Sequence, residues 1–322
     1  MVLFSWKRMI GALLSAACYH TIVHADAEKS CPPPAKKVKD PLPEHISARH
    51  TEGKGLGYSK GYTSLDLFFS QPFSQGRSVP FLDLRGHIFN NGKYAANAGL
   101  GFRYLYEHFQ QIWGINAFYD YFQTSQRPYN QVGVGLEVLA EHWDVRINGY
   151  IPVGHKQTNI YRFHYEDLSL DNFLLVAREQ FAMRGVDSEV GYQFCKTRYF
   201  DFHVGAGPYY YWGTSAKTEN AFRETRRQAI GGRIKAQIGI MNYLFLDGYV
   251  GYDSLFRWTG QGTITLSLPF NFTVRTKKNC SNISYCLKER LFRPVSRNEI
   301  VTVDSCNRTS TDPDVLDPEN KP

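Results

Sequence analysis

The chain has 322 residues, a formal net charge of +7 and an aromatic content of 15%, with 21 Tyr and 22 Phe, yet its mean hydropathy is only -0.39. That many rings at so low a hydropathy argues against an ordinary soluble domain and suits a membrane β-barrel, whose strands alternate apolar and polar residues and whose rings gather at the lipid–water interfaces. The Lys and Arg are spread through strand-like segments with no nucleic-acid motif, which excludes that partner class, and no run of about 18 apolar residues is present to form a transmembrane helix.

The N-terminus reads as an export signal. Lys7 and Arg8 form the positive region, residues 9–23 are mostly apolar, and Ala25 and Ala27 frame a small-x-small cleavage site, so 1–27 is predicted to be a signal peptide. A rival reading makes Leu14 to Cys18 a lipoprotein box, although its spacing is one residue too long. Residues 28–59 are polar and begin with Pro32, Pro33 and Pro34 followed by Lys36, Lys37 and Lys39, which predicts a disordered periplasmic segment.

From residue 60 to 272 the apolar pattern has period two, as a strand wall with one apolar face requires. After strands near Leu65 and Leu82, Tyr94, Ala96, Ala98, Leu100, Phe102 and Tyr104 share one face. Trp113, Ile115, Ala117, Tyr119 and Tyr121 repeat the pattern, then Val132, Val134, Leu136 and Val138, then Val145, Ile147 and Ile151. Two less regular strands are expected between Tyr161 and Tyr192, followed by strands around Phe202, Ile234, Leu246 and Leu266. Asn90-Asn91-Gly92 and Met241-Asn242 look like tight turns, and Thr214 to Arg227 reads as the longest surface loop, with Arg223, Arg226 and Arg227 available to anions. The total predicts an all-β fold, an antiparallel transmembrane barrel of about twelve strands in the outer membrane. Charged residues on the opposite parity, such as Asp83 and Arg85, favour the barrel over a soluble sandwich. Arg103, Gln131 and Arg146 are expected to line the lumen.

Beyond the barrel, 273–303 is predicted to be a plug or linker and 304–322 a flexible tail. Cys280 and Cys286 are close enough for a local disulfide. No cysteine spacing matches a zinc site and no cofactor is expected. Asp120, Glu137 and Asp144 could be cast as hydrolase carboxylates, and His87 or His203 as a base. Lumen-facing charges account for the first group, and no nucleophile motif accompanies the histidines.

The run Gly114-Ile115-Asn116-Ala117-Phe118-Tyr119-Asp120-Tyr121, then Gly133-Val134-Gly135-Leu136-Glu137, then Asn148-Gly149-Tyr150-Ile151-Pro152 resembles the β-domain of inverse autotransporters, the intimin and invasin family. Gly185 to Tyr192, which contains Asp187 and Glu189, and Leu268-Pro269-Phe270 extend the resemblance. Arg297-Asn298-Glu299-Ile300-Val301 is similar to the segment that leaves the pore in that family. The resemblance implies twelve strands, a periplasmic N-terminus, a plug threaded through the lumen after a short helix, and a surface-exposed C-terminus. This sequence departs from the pattern at Leu139, where the family favours an aromatic ring. It also lacks a peptidoglycan-binding module before the barrel and the immunoglobulin-like passenger domains after Val301.

The expectation is therefore a non-enzymatic outer-membrane translocator that threads its own C-terminal segment, its passenger absent or vestigial. The expected partners are outer-membrane lipid, the barrel-assembly machinery and periplasmic chaperones, and the sequence specifies no surface partner. A porin-like channel for small solutes is the alternative, and an outer-membrane enzyme the more distant one.

Overall fold

The computed structural model describes residues 44–165, 173–196, 200–214, 226–240, 243–269 and 285–310. The predicted signal with Ala25 and Ala27, Cys280, the Met241-Asn242 turn, Arg223 and residues 311–322 lie outside them, as does the side chain of Cys286.

Twelve strands close into one antiparallel barrel. In chain order they are β1 (His45–Lys54), β2 (Tyr62–Ser70), β3 (Ser78–Phe89), β4 (Tyr94–Tyr106), β5 (Gln111–Gln123), β6 (Pro128–Leu139), β7 (Trp143–Val153), then β10 (Arg184–Lys196), β11 (Phe200–Thr214), β12 (Arg226–Ile240), β13 (Leu244–Asp253) and β14 (Arg257–Pro269). Between β7 and β10 the chain leaves the wall as the hairpin β8 (Gln157–Tyr165) and β9 (Phe173–Ala182), and a third strand, β15 (Val303–Ser310), pairs with β9. Closure leaves no unpaired strand edge in the wall, which lipid would not tolerate.

The outer face carries the apolar residues that the alternation assigned to it. Leu100, Ile115, Val134, Leu136, Ile147, Ile234, Val250 and Ile264 are all exposed. Tyr94 and Tyr119 ring one margin, and Trp113 and Trp143 the other. In water such a band would be unfavourable, whereas in lipid it is the contact surface. The inner face is polar, with Asp83, Arg85, Asn97, Arg103, Asn116, Asp120, Gln131, Glu137, Asn148, Asp187 and Glu189 buried there. The Asn90-Asn91-Gly92 turn forms as expected: Gly92 adopts φ 78° and donates its N–H to the Phe89 carbonyl at 2.9 Å.

Four expectations need correction. The barrel begins at His45, not residue 60, because β1 pairs with β14, His45 opposite Pro269, and with β2, His45 opposite Phe68. Its outward residues include His50, Glu52 and Lys54, so the apolar signature of a barrel strand is missing and the segment reads as loop. The strand count was right through compensation: the two strands expected between Tyr161 and Tyr192 included one from the hairpin β8–β9, which stands outside the wall and made up for the missed β1. Thr214, Arg226 and Arg227 belong to strands β11 and β12 and not to a loop, and Arg227 is paired to Asp304 at 2.5 Å. Residues 303–310, expected in the flexible tail from 304 onward, form β15.

Candidate functional site: a luminal cradle for the C-terminal segment

The interior of a barrel grows with strand number, and eight strands are about what side chains alone can fill. Twelve leave a lumen, and the C-terminal segment lies in it. Helix α1 (Tyr285–Arg290) sits near the end of the barrel that holds His45 and Pro269, its Leu287 and Leu291 in one cluster with Val79, Leu105, Ile112 and Leu139. Leu139, the departure from the family's aromatic preference, thus takes part in seating the helix. The helix stops at Arg290 and Pro294 follows in extended chain, since proline has no N–H to continue a helical ladder. Val295 then packs with Phe68, Phe81 and Phe118 midway along the barrel. Ile300, Val301 and Val303 pack with Tyr62, Phe89, Ala95, Phe122, Tyr129 and Ala182 toward the far end.

An extended chain in the lumen must find hydrogen-bond partners for its backbone. The wall supplies them from side chains. Arg103 donates through Nη1 to the carbonyls of Leu291 at 2.9 Å and Arg293 at 2.6 Å, while its Nε is held on Glu137 at 2.6 Å. Arg85 donates to the Val295 carbonyl at 2.8 Å and Asn97 to the Glu299 carbonyl at 2.7 Å. Tyr150 Oη accepts from the Asn298 N–H at 2.8 Å.

Ion pairs fix the register of the segment at four points. Arg290 reaches Asp144 at 3.0 Å, Arg293 reaches Asp201 at 2.6 Å, Arg297 reaches Asp120, and Glu299 reaches Arg49 at 2.5 Å and Arg85 at 2.9 Å. Arg297 is the most enclosed of them. Its two terminal nitrogens donate to the two Asp120 oxygens at 2.7 and 2.5 Å, and its guanidinium lies over the rings of Phe118 at 4.4 Å and Tyr150 at 5.4 Å. The floor beneath it is Gly133, where an added Cβ would come within 2.5 Å of Nη2. A planar cation held by a bidentate carboxylate and two aromatic faces combines the fork-shaped and the stacking modes of guanidinium recognition.

The signature residues read from the sequence therefore converge on one structure. Phe118, Asp120, Gly133 and Tyr150 build the Arg297 cradle. Gly135 leaves space that Asn116 and Asn148 occupy from either side, with an added Cβ only 2.6 and 2.7 Å from their oxygens. Asn148 and Tyr150 both donate to Asp187 at 2.9 Å, and Glu189 holds Lys235 at 2.7 Å and Arg146 at 3.3 Å. Pro152, opposite Gln131 in the register, is buried, and Gln131 donates to Asp120 at 3.2 Å. Of the plug residues, Asn298 also donates to Tyr211 Oη at 3.2 Å, while Ile300 and Val301 are fully buried. Arg49, Arg290 and Arg293 were not anticipated.

The carboxylates once weighed as catalytic are committed elsewhere: Asp120 to Arg297, Glu137 to Arg103, and Asp144 to Arg146, Arg290 and His203. Ser64, His87 and Asn97 form a hydrogen-bonded chain, Ser64 Oγ to His87 Nδ1 at 2.7 Å and His87 Nε2 to Asn97 Oδ1 at 2.7 Å. All three are buried and the chain ends on the plug through the Asn97 amide, so it orients Asn97 and offers no access to a substrate.

Comparison with known proteins fits this architecture. The sequence pattern described as "Inverse autotransporter, beta-domain" matches residues 59–231. No curated protein matches the chain. A solved structure reported in work on the in-meso crystallization of membrane proteins is similar in fold, with 14% identity, TM-score 0.54 and coverage of 81% of this chain and 100% of that one. An outer membrane channel from Pseudomonas putida F1 is more loosely similar, at 11% identity, TM-score 0.45, and 75% and 100% coverage. The translocator domain of the autotransporter NalP from Neisseria meningitidis gives 8% identity, TM-score 0.28, and 82% and 96% coverage.

Proposed function

The chain belongs to the inverse autotransporter β-domain family, and on that premise we propose that it is an outer-membrane translocator that threads its own C-terminal segment from the periplasmic end of the barrel to the cell surface. In this orientation His45 and Pro269 mark the periplasmic end, and the hairpin β8–β9 stands on the outside. The observation that carries the reading is the Arg297 cradle: a charged residue of the C-terminal segment is bound at both terminal nitrogens by Asp120 and lies over the rings of Phe118 and Tyr150 of the wall it passes. At the far end the Met183 N–H donates to the Thr302 carbonyl at 2.9 Å, and β15 then adds to β9, which gives the emerging chain a first strand to pair with. This is strand addition to a sheet edge, in which backbone hydrogen bonds hold an extended segment.

A freely open porin is less well supported. Arg103, Gln131 and Arg146, the residues expected to line the lumen, are bonded to carboxylates of the wall, as is Asn148, and Arg103 to the plug backbone as well. An enzyme is disfavoured by the commitment of Asp120, Glu137 and Asp144 to arginines.

The test is a short epitope placed after Pro322 in cells that produce the full chain, probed with antibody on intact cells alongside a periplasmic protein as leakage control. Staining of intact cells is expected. Staining only after the outer membrane is opened would overturn the threaded topology.

A further inference from the structure

The plug does not fill the lumen evenly. The polar bonds and clusters described above tie it to β1–β7 and β11, and it reaches β10 through Arg290 to Gln193 at 3.4 Å and β12 through Ser296 to Lys235 at 3.1 Å. Among the described residues none ties it to β13 or β14. Inward side chains of β3 to β6 are buried under the plug, whereas Asp247 and Tyr249 on β13 and Gln261, Thr263, Thr265 and Ser267 on β14 are half-buried while facing inward.

Toward the far end this uncovered wall is sealed. Thr259 and Asp253 are buried, and two loops fold over them. The loop between β1 and β2 contributes Leu56, which is buried in a cluster with Tyr150, Tyr209, Tyr211 and Ala229. It also contributes Tyr58, whose hydroxyl meets the Gln261 amide at 3.2 Å. Gly57 between them, at φ +82°, lies against Val303, where an added Cβ would come within 2.5 Å of the carbonyl oxygen. From the other side Leu255 and Phe256, after β13, pack on the same cluster, their N–H groups donating to Asp253 at 2.7 and 2.5 Å.

From this we infer that the lumen is divided into a plugged half and an aqueous half, and that the aqueous half conducts small cations when the Leu56–Tyr58 lid is displaced. The sign of the charge comes from Asp247. Lys235, Arg49, Arg293, Asp66, Asp201 and Glu189 around it are all ion-paired. The Asp247 carboxylate accepts only the Gln237 amide, at 2.5 Å, and has no cation partner among the described residues. A carboxylate without a direct ion pair on the wall of a narrow water-filled passage favours cations over anions. Thr263, directly opposite Asp247 in the register, and Thr265, two residues further along β14, offer hydroxyl oxygens that can replace water around a small ion. Nothing in this inference depends on export of the tail.

The test uses the purified full chain in planar lipid bilayers with potassium chloride. The lid variant, Leu56→Gly with Tyr58→Gly, is expected to show conducting steps that the parent lacks, with potassium more permeant than chloride and the ratio reduced at least twofold by adding Asp247→Asn. A lid variant that is folded, by its heat-modifiable gel migration, yet silent would overturn the inference. So would conduction without cation preference, or conduction indifferent to Asp247→Asn. Should the lid variant fail to fold, thiol labelling of the otherwise intact chain decides. A small charged thiol reagent is expected to modify Thr265→Cys and to spare Asn116→Cys, read by peptide mass, and equal protection of both would refute an aqueous half.

Discussion

At the residue scale the cradle separates what a site needs chemically from what it needs sterically. Gly133 supplies nothing but room, and filling that room is predicted to push the guanidinium off Asp120 and out from between the rings. Gly133→Ala should cost about 1–3 kcal/mol, read as a lower thermal midpoint of the full chain, with no such shift in a chain that ends before α1. The charged partners are not equivalent either. Arg49 and Arg85 keep Asp66 and Asp83 when Glu299 is removed, whereas among the described residues Arg297 has no carboxylate partner besides Asp120. Asp120→Ala should therefore cost about 3–5 kcal/mol and Glu299→Ala less than half as much, in the same thermal measurement. Equal losses would show that the redundancy around Glu299 has no energetic weight. The cradle was legible as a set of residues, since Phe118, Asp120, Gly133 and Tyr150 stand out in the sequence. Its purpose was not, because Arg297 is 177 positions from Asp120 and nothing in the local pattern names a partner so remote.

At the scale of elements, the regular strands were readable because lipid imposes apolar side chains on alternate positions. β4, β5 and β6 obey that rule at nearly every outward residue. β1 does not: after Ile46 and Ala48 its outward positions are His50, Glu52 and Lys54. Glu52 there accepts from the Asn90 amide at 2.5 Å and from His50, so its polar groups are satisfied at the barrel margin and the sequence pattern dissolves. β9 fails in the opposite sense, since Phe173, Leu174, Leu175 and Val176 look like wall but belong to a hairpin beyond it. Pairing, not composition, decides both cases. Removal of 44–54 is predicted to abolish the folded, heat-modifiable species, because β14 and β2 would both be left with open edges. A truncated chain that still folds to a heat-modifiable barrel would show that β1 is dispensable to closure.

For the whole molecule, a twelve-stranded wall and a buried C-terminal segment solve each other's problem. The wall alone would enclose unpaired arginines and carboxylates, and the segment alone could not remain ordered in water. Their union leaves one side of the lumen uncovered, which is where the aqueous half arises. The claim on which all this rests is that the chain near residue 297 sits on the wall at residue 120. A double-mutant cycle of Asp120→Ala and Arg297→Ala, read by thermal unfolding of the full chain, tests it most directly. The account predicts a coupling of about 2 kcal/mol or more between the two sites, with Arg297→Ala recovering much of what Asp120→Ala loses, because removing both charges leaves neither one buried alone. Additive losses, with no coupling, would mean that Arg297 is not in the cradle and that the lumen is not occupied in this way.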